Sequence, residues 1–226
     1  MARPILVYGQ PAAGKSFALK TLDPAKTIII DADNKGALPW RGFKKSYNAE
    51  RKNFVSLDTL DKIFNSIKKI ATDDSYKHVT VVAVDGFNNA LINEQTFYDE
   101  WHNPKNAFEK FAELAKKTKR IIKLAQNMRD DLTIIFTAHV KTADPYVTGD
   151  VDHLLTPGKQ LEEKFRIEGS FLYVFYAKID TDGTHYFETV PNNSTARTPE
   201  DCFPPQVPND FKLILDTIEQ YESGDE

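Results

Sequence analysis

Gly9, Gln10, Pro11, Ala12, Ala13, Gly14, Lys15 and Ser16 form an unbroken G-x-x-x-x-G-K-S run. Residues 4–8 ahead of it, Pro-Ile-Leu-Val-Tyr, have the length and apolar character of a short strand, and residues 15–22 after it read as a helix. A strand, a glycine-bounded loop and a helix in immediate succession fix the first unit of an α/β fold. They also turn the amide groups of the loop, and the positive end of the helix, toward an anion. Glycine at positions 9 and 14 permits backbone geometry and a close approach that a side chain would obstruct. Lys15 is then placed for the β and γ phosphates of a nucleoside triphosphate, and the Ser16 hydroxyl for Mg2+. Nucleotide contacts are expected from Gly9, Gln10, Pro11, Ala12, Ala13, Gly14, Lys15, Ser16 and Phe17.

Strand and helix signals continue to alternate along the chain. Residues 27–30 read as a second buried strand running into Asp31, Ala32 and Asp33, and residues 34–53 as an irregular basic stretch. Leu57, Leu60, Ile63, Phe64, Ile67 and Ile70 recur at helical spacing, with Ser56 placed as the cap. Residues 79–84 are a near-continuous apolar run ending at Asp85, the pattern of a central strand buried on both faces. Phe108, Phe111, Leu114, Ala115, Ile121, Leu124, Ala125 and Met128 predict a long helix whose lysines and arginine form a solvated face. Residues 132–138 give the next central strand, which terminates in His139. Residues 141–162 lack periodicity and make a loop of unusual length, the kind that is often functional.

Residues 171–179 and 185–190 flank an Asp-Gly turn and predict antiparallel strands late in the chain. Pro204, Pro205 and Pro208 read as a stiff connector to a last helix, capped by Asp210 and burying Phe211, Ile214, Leu215, Ile218 and Tyr221. The expected architecture is α/β: a mostly parallel central sheet with helices on both faces and antiparallel strands toward the C-terminal end. One folded unit over residues 1–226 is expected, with 203–226 as connector and helix.

Composition narrows the function classes. No apolar run approaches the ~20 residues that span a bilayer, and the first residues lack the apolar core of a signal peptide, so a cytoplasmic protein without a membrane partner is expected. A lone Cys202 rules out an intramolecular disulfide and a cysteine zinc site. Asn-x-Ser/Thr matches at Asn192 and Asn193 have no meaning without secretion. The net charge of -4 gives no global attraction to nucleic acid, so any such contact must come from local basic loops or from several subunits together.

Asp85, at the end of a central strand, supplies the carboxylate that holds the magnesium shell together with Ser16. Four segments then carry a wider resemblance: the 9–16 loop, Ile30-Asp31-Ala32-Asp33, Val82-Ala83-Val84-Asp85, and Ile134-Ile135-Phe136-Thr137-Ala138-His139. In order and spacing they resemble the RecA-like P-loop ATPases. Within these they are similar to phage single-strand-annealing recombinases of the Sak-four group and to phage nucleotide-binding AAA-domain proteins. The resemblance covers roughly residues 4–140, and more weakly 171–205.

The resemblance implies a RecA-like ATPase using ATP and Mg2+, with Lys15, Asp33, Asp85, His139 and Arg197 in the chemistry. Asp33 matches the acid that polarises the attacking water, although the family's usual Glu is one methylene longer; a loop-capping carboxylate is the alternative. Gly86 stands where AAA-type motors place a catalytic Glu, which favours the RecA-like branch. His139 falls where the family senses the γ phosphate, the alternative being a polar strand end satisfied by backbone. The loop beyond it would face DNA with Lys141, Lys159, Lys164 and Arg166. Arg197 would meet a neighbouring subunit's nucleotide, with Lys178 as competitor.

The function so implied is a phage recombination or annealing ATPase that binds single-stranded DNA and forms a homo-oligomer or filament in the host cytoplasm. A single-strand-binding protein is a further candidate partner. An ATP-gated binding switch with little turnover, suggested by Asp in place of Glu, is one alternative. A small-molecule kinase is another, with Asp31 and Asp33 as an acidic pair holding a substrate hydroxyl. The lack of an arginine-rich lid after Asp85 speaks against that kinase.

Overall fold

The computed structural model describes residues 3–101, 107–158, 161 and 164–224; Lys159 and the Phe108 side chain lie outside the described residues. Strands β1 (Arg3–Gly9), β2 (Thr27–Asp31), β3 (Phe54–Ser56), β4 (Val81–Asp85), β5 (Thr133–Lys141), β6 (His153–Leu154), β7 (Tyr173–Ile179), β8 (His185–Glu188) and β9 (Gln206–Pro208) build one sheet. Its order is β3-β2-β4-β5-β1-β7-β8-β9, with β6 added to the end of β5. All pairs from β3 to β7 are parallel, while β7 with β8, β8 with β9 and β5 with β6 are antiparallel. The expected fold class is therefore observed.

Alternation along the strands divides the core in two. Leu6, Tyr8, Ile134 and Phe136 point to the face covered by α3 (Leu60–Thr72), α4 (Phe87–Trp101) and α5 (Ala107–Gln126). Ile5, Val7, Ile29 and Ile135 point to the other face, covered by the short α1 (Lys15–Ala18), α2 (Phe43–Ser46) and the C-terminal α6 (Phe211–Ser223). β5 lies between β1 and β4, so the segment carrying His139 separates the phosphate loop from Asp85.

Several local expectations change. Thr59, not Ser56, caps α3 by accepting from the Lys62 amide, because Ser56 is already used as the last residue of β3. α4 is not predicted by the sequence pattern: only its first turn, Phe87, Ala90 and Leu91, carries a strong apolar signature. The proline-rich connector contains β9, an edge strand in which Pro208 is tolerated because only one side pairs. His139 does not end its strand; β5 continues to Lys141 and pairs with β6. Asp210 does cap α6, accepting from the Leu213 amide at 3.1 Å, but Tyr221 is exposed. Among the described residues no helix is long and apolar enough to cross a membrane.

Candidate nucleotide site

A cavity of about 560 Å³ opens at the C-terminal ends of β1, β2, β4 and β5, in the size range of small-molecule sites. Pro11, Ala12, Gly14, Lys15, Ser16 and Phe17 line it from the loop side, and Phe17 is 44% exposed. The remaining predicted contacts serve the loop itself. Ala13 packs into the core beneath α1, and its amide donates to the Gln10 carbonyl. The two glycines are needed for different reasons. Gly14 has φ 91 and acts as the left-handed N-cap of α1, and a Cβ there would press on His185 Nδ1 and Asn209 Nδ2. Gly9 has no such dihedral; a Cβ there would overlap the Ala177 carbonyl of β7. Ala12 also has positive φ, at 65, so left-handed residues alternate in the loop as in anion-binding nests.

Lys15 is only 6% exposed, and its ammonium donates to the carbonyls of Gly9 and Gln10, both at 2.8 Å. Burial pushes its pKa down to about 8, against the attraction of Asp85, with Lys35 adding to the depression. Relative to an exposed lysine that is a cost of roughly 3 kcal/mol, which an anion in the cavity would offset.

Asp85 is fully buried, and burial raises its pKa against the hydrogen bonds from Thr137 and Ser16. Ser16 Oγ donates to its two oxygens at 2.8 and 2.9 Å, and Thr137 Oγ1 donates to Oδ1 at 2.6 Å. Thr137 also accepts from the Gly86 amide at 3.0 Å. Ser16 and Asp85 thus bring hard oxygen donors together beside the phosphate loop. That set suits Mg2+, which takes its other ligands from phosphate and water. No group of three His, Cys, Asp or Glu side chains able to hold a metal occurs among the described residues.

Asp33 lines the cavity on the far side, its side chain 4% exposed. Asn89 of α4 donates to Oδ1, and Lys35 forms an ion pair with Oδ2. Gly86 has φ 82, and a Cβ there would overlap the Asp33 carboxylate. The acid delivered from the end of β2 therefore occupies the room that a side chain after Asp85 would take. Asp31 does not share this position. It is wholly buried, and its Oδ2 accepts from the Gly36 amide at 2.8 Å and from Ser56 Oγ at 3.2 Å, so it clasps the turn and does not line the cavity. An acidic pair presented to a small substrate is not formed.

His139 lines the same cavity opposite Gly9. Burial, then the charge of Lys15, lowers its pKa, which keeps the imidazole neutral at pH 7. Its Nδ1 is buried without a partner, while its amide donates to Asn88 Oδ1 and its carbonyl accepts from Leu155. Arg197 lies outside the cavity lining. Its guanidinium donates to the carbonyls of Phe171 and Glu168, the shortest at 2.6 Å. Lys178 pairs with Glu188 at 2.5 Å.

Lys35, Asn88, Asn89, Thr137, His185 and Asn209 were not singled out as site residues from sequence. Thr137 carried a usable signal, as a hydroxyl in an otherwise apolar strand must find a partner. So did the Asn88-Asn89 pair, which begins two residues beyond Gly86. Lys35 looked like any loop lysine.

Among curated proteins none matches the chain significantly. Among solved structures, the flagellar accessory protein FlaH from Methanocaldococcus jannaschii aligns with a TM-score of 0.44 and 11% identity, covering 90% of this chain and 83% of that one. The family model described as AAA domain matches residues 1–197, which takes in every strand and helix from β1 to β8 and with them the cavity. The chain belongs to the AAA domain family.

Proposed function

We propose that the chain is a RecA-like ATPase that hydrolyses ATP with Mg2+ and couples it to binding of single-stranded DNA in recombination or annealing, working as a homo-oligomer in the cytoplasm. The observation that carries the hydrolytic part is the placement of an acid, Asp33, against Gly86 in the cavity that also holds Lys15, Ser16 and Asp85. Lys15 and the loop amides bind and orient the phosphates. Ser16 and Asp85 would hold Mg2+, which neutralises phosphate charge when bound. Asp33 orients the attacking water and accepts its proton. His139, neutral, offers a hydrogen bond at the γ-phosphate side and is tied through its carbonyl to the segment after β6.

The DNA part is supported by where the chain puts exposed cations and rings. Beyond His139, the loop tip carries Tyr146, 94% exposed, with Lys141, Lys164 and Arg166 exposed nearby in sequence. Residues 41–52 add exposed Arg41, Lys44, Lys45, Arg51 and Lys52, directly after Ala37, Leu38 and Pro39 of the cavity wall. Cations along a strand and a ring for base stacking are what sequence-tolerant single-strand binding uses. A chain of net charge -4 would bind poorly alone, so repeated loops from several subunits would supply affinity through effective concentration.

The test is ATPase activity and light scattering with and without single-stranded DNA and a non-hydrolysable ATP analogue. Stimulated turnover and salt-sensitive, analogue-dependent assembly are expected. A monomer whose ATPase ignores DNA would overturn the DNA reading. The ATP-gated switch keeps one specific support, the clamping of Asp33 by both Lys35 and Asn89, and would show binding with turnover near background.

A further inference from the structure

A phosphoryl-transfer site needs positive charge at the terminal phosphate in addition to the loop lysine. Arg197 and Lys178, the cations expected to supply it from a neighbouring subunit, are occupied by their own chain: Arg197 by the carbonyls of Phe171 and Glu168, Lys178 by Glu188. The described residues that line the cavity include two lysines, Lys15 and Lys35. Lys15 belongs to the phosphate loop and Lys35 to the turn that follows Asp33.

That turn is built to hold its shape. Asn34 and Gly36 both have positive φ, 55 and 71, on either side of Lys35. The Gly36 amide is fastened to buried Asp31 at 2.8 Å. The Lys35 stem leaves this fixed turn with its side chain 55% exposed, while its ammonium rests on Asp33. Its field reaches the catalytic groups, lowering the proton affinity of both Lys15 and His139.

We propose that Lys35 is the second phosphate-binding cation of this site, supplied in cis, and that its transfer from Asp33 to the γ phosphate switches the base on. The proposal rests on the ATPase reading above. An ammonium resting on Asp33 Oδ2 occupies the oxygen to which an attacking water would donate. A bound γ phosphate offers Lys35 a more highly charged partner. When Lys35 moves there, Asp33 stays oriented by Asn89 and its Oδ2 is freed to receive the water. Water oxygen then bonds to the γ phosphorus as the bond to the β–γ bridging oxygen breaks. ADP leaves with that oxygen, and the water proton passes to Asp33 and on to solvent or phosphate. With ADP alone there is no γ phosphate, so Lys35 remains on Asp33 and the base is masked.

The test compares wild type with Lys35→Ala, Lys35→Arg and Arg197→Ala. It measures kcat at saturating ATP with Mg2+ over a range of protein concentration, and the Kd of both ATPγS and ADP. Lys35→Ala is expected to lower kcat by at least about tenfold and to lose most of the preference for ATPγS over ADP, while Lys35→Arg retains most of both. Arg197→Ala is expected to leave kcat per subunit unchanged at low protein concentration. Lys35→Ala with wild-type kcat and a wild-type ATPγS to ADP ratio would overturn the proposal, as would a rise in kcat, which would make Lys35 only a mask. If wild type shows no turnover, the hydrolytic reading fails by itself, and the ATPγS to ADP ratio still decides whether Lys35 meets the γ phosphate.

Discussion

The two walls of the cavity are built in opposite ways. The phosphate wall, residues 9–16, is one contiguous stretch fixed by its own dihedrals, by Lys15 folded back on Gly9 and Gln10, and by α1 behind it. The opposite wall is assembled from three elements: Asp33 and Lys35 from the turn after β2, Gly86 and Asn89 from the start of α4, and His139 from β5. In the ATPase reading proposed above, the first wall would bind the anion through this one contiguous stretch. In the same reading the second wall holds the proposed base, Asp33, in the room left by one missing Cβ, so its chemistry should be far more sensitive to small changes than its binding.

Breaking the first wall should have the largest effect. Lys15→Ala is expected to weaken ATP binding by at least about a hundredfold while leaving the folded state intact, since it removes a charge whose burial is itself unfavourable. Isothermal titration and a thermal melt check both halves. The second wall is tested more gently by Gly86→Ala. A Cβ at φ 82 that overlaps Asp33 should cost about 1 kcal/mol of strain and displace the acid. The expected result is kcat down by about ten- to a hundredfold with ATP affinity changed by less than about threefold.

Thr137→Val probes the joint between the walls. It removes a donor to Asp85 and the acceptor of the Gly86 amide, both buried, and should cost about 1 to 3 kcal/mol in denaturant unfolding. A smaller effect lies in pH. In the free protein Lys15 has a pKa near 8, below that of an unfolded lysine, whereas phosphate charge would hold the bound form protonated. ATP affinity should be full below pH 8 and fall by up to about tenfold per unit above it. The same group penalises the folded, unliganded protein below pH 8 and is relieved as pH rises, so stability and affinity should change in opposite directions over that window. Parallel loss of both would contradict the assignment of the titration to Lys15.

The contrast between the walls also explains what could be read without coordinates. The phosphate loop, Asp85 and the α/β alternation were legible because strands buried on both faces and a fixed-spacing motif leave little choice. The edge strands were not: β3 and β9 span three residues each, and Pro208 disguises the second. α4 hid behind asparagines, which have low helix propensity, yet Asn88 and Asn89 are the residues that clamp His139 and Asp33. The sequence position of Asp33 after β2 points to the cavity it lines, but its ion pair with Lys35 depends on the turn held by Asp31, Asn34 and Gly36. Nothing in a lysine two residues past an aspartate announces that geometry. Arg197 is marked by its place in the sequence, whereas its guanidinium is tied to backbone carbonyls of its own chain.

The central claim is that Asp33, and not a residue after Asp85, is the base of a hydrolytic site. Single-turnover hydrolysis of ATP by Asp33→Asn, set beside its equilibrium ATP affinity, tests it most directly. A rate lower by at least about a hundredfold, with affinity within about threefold of wild type, is expected. An Asp33→Asn protein that turns over at the wild-type rate would contradict it.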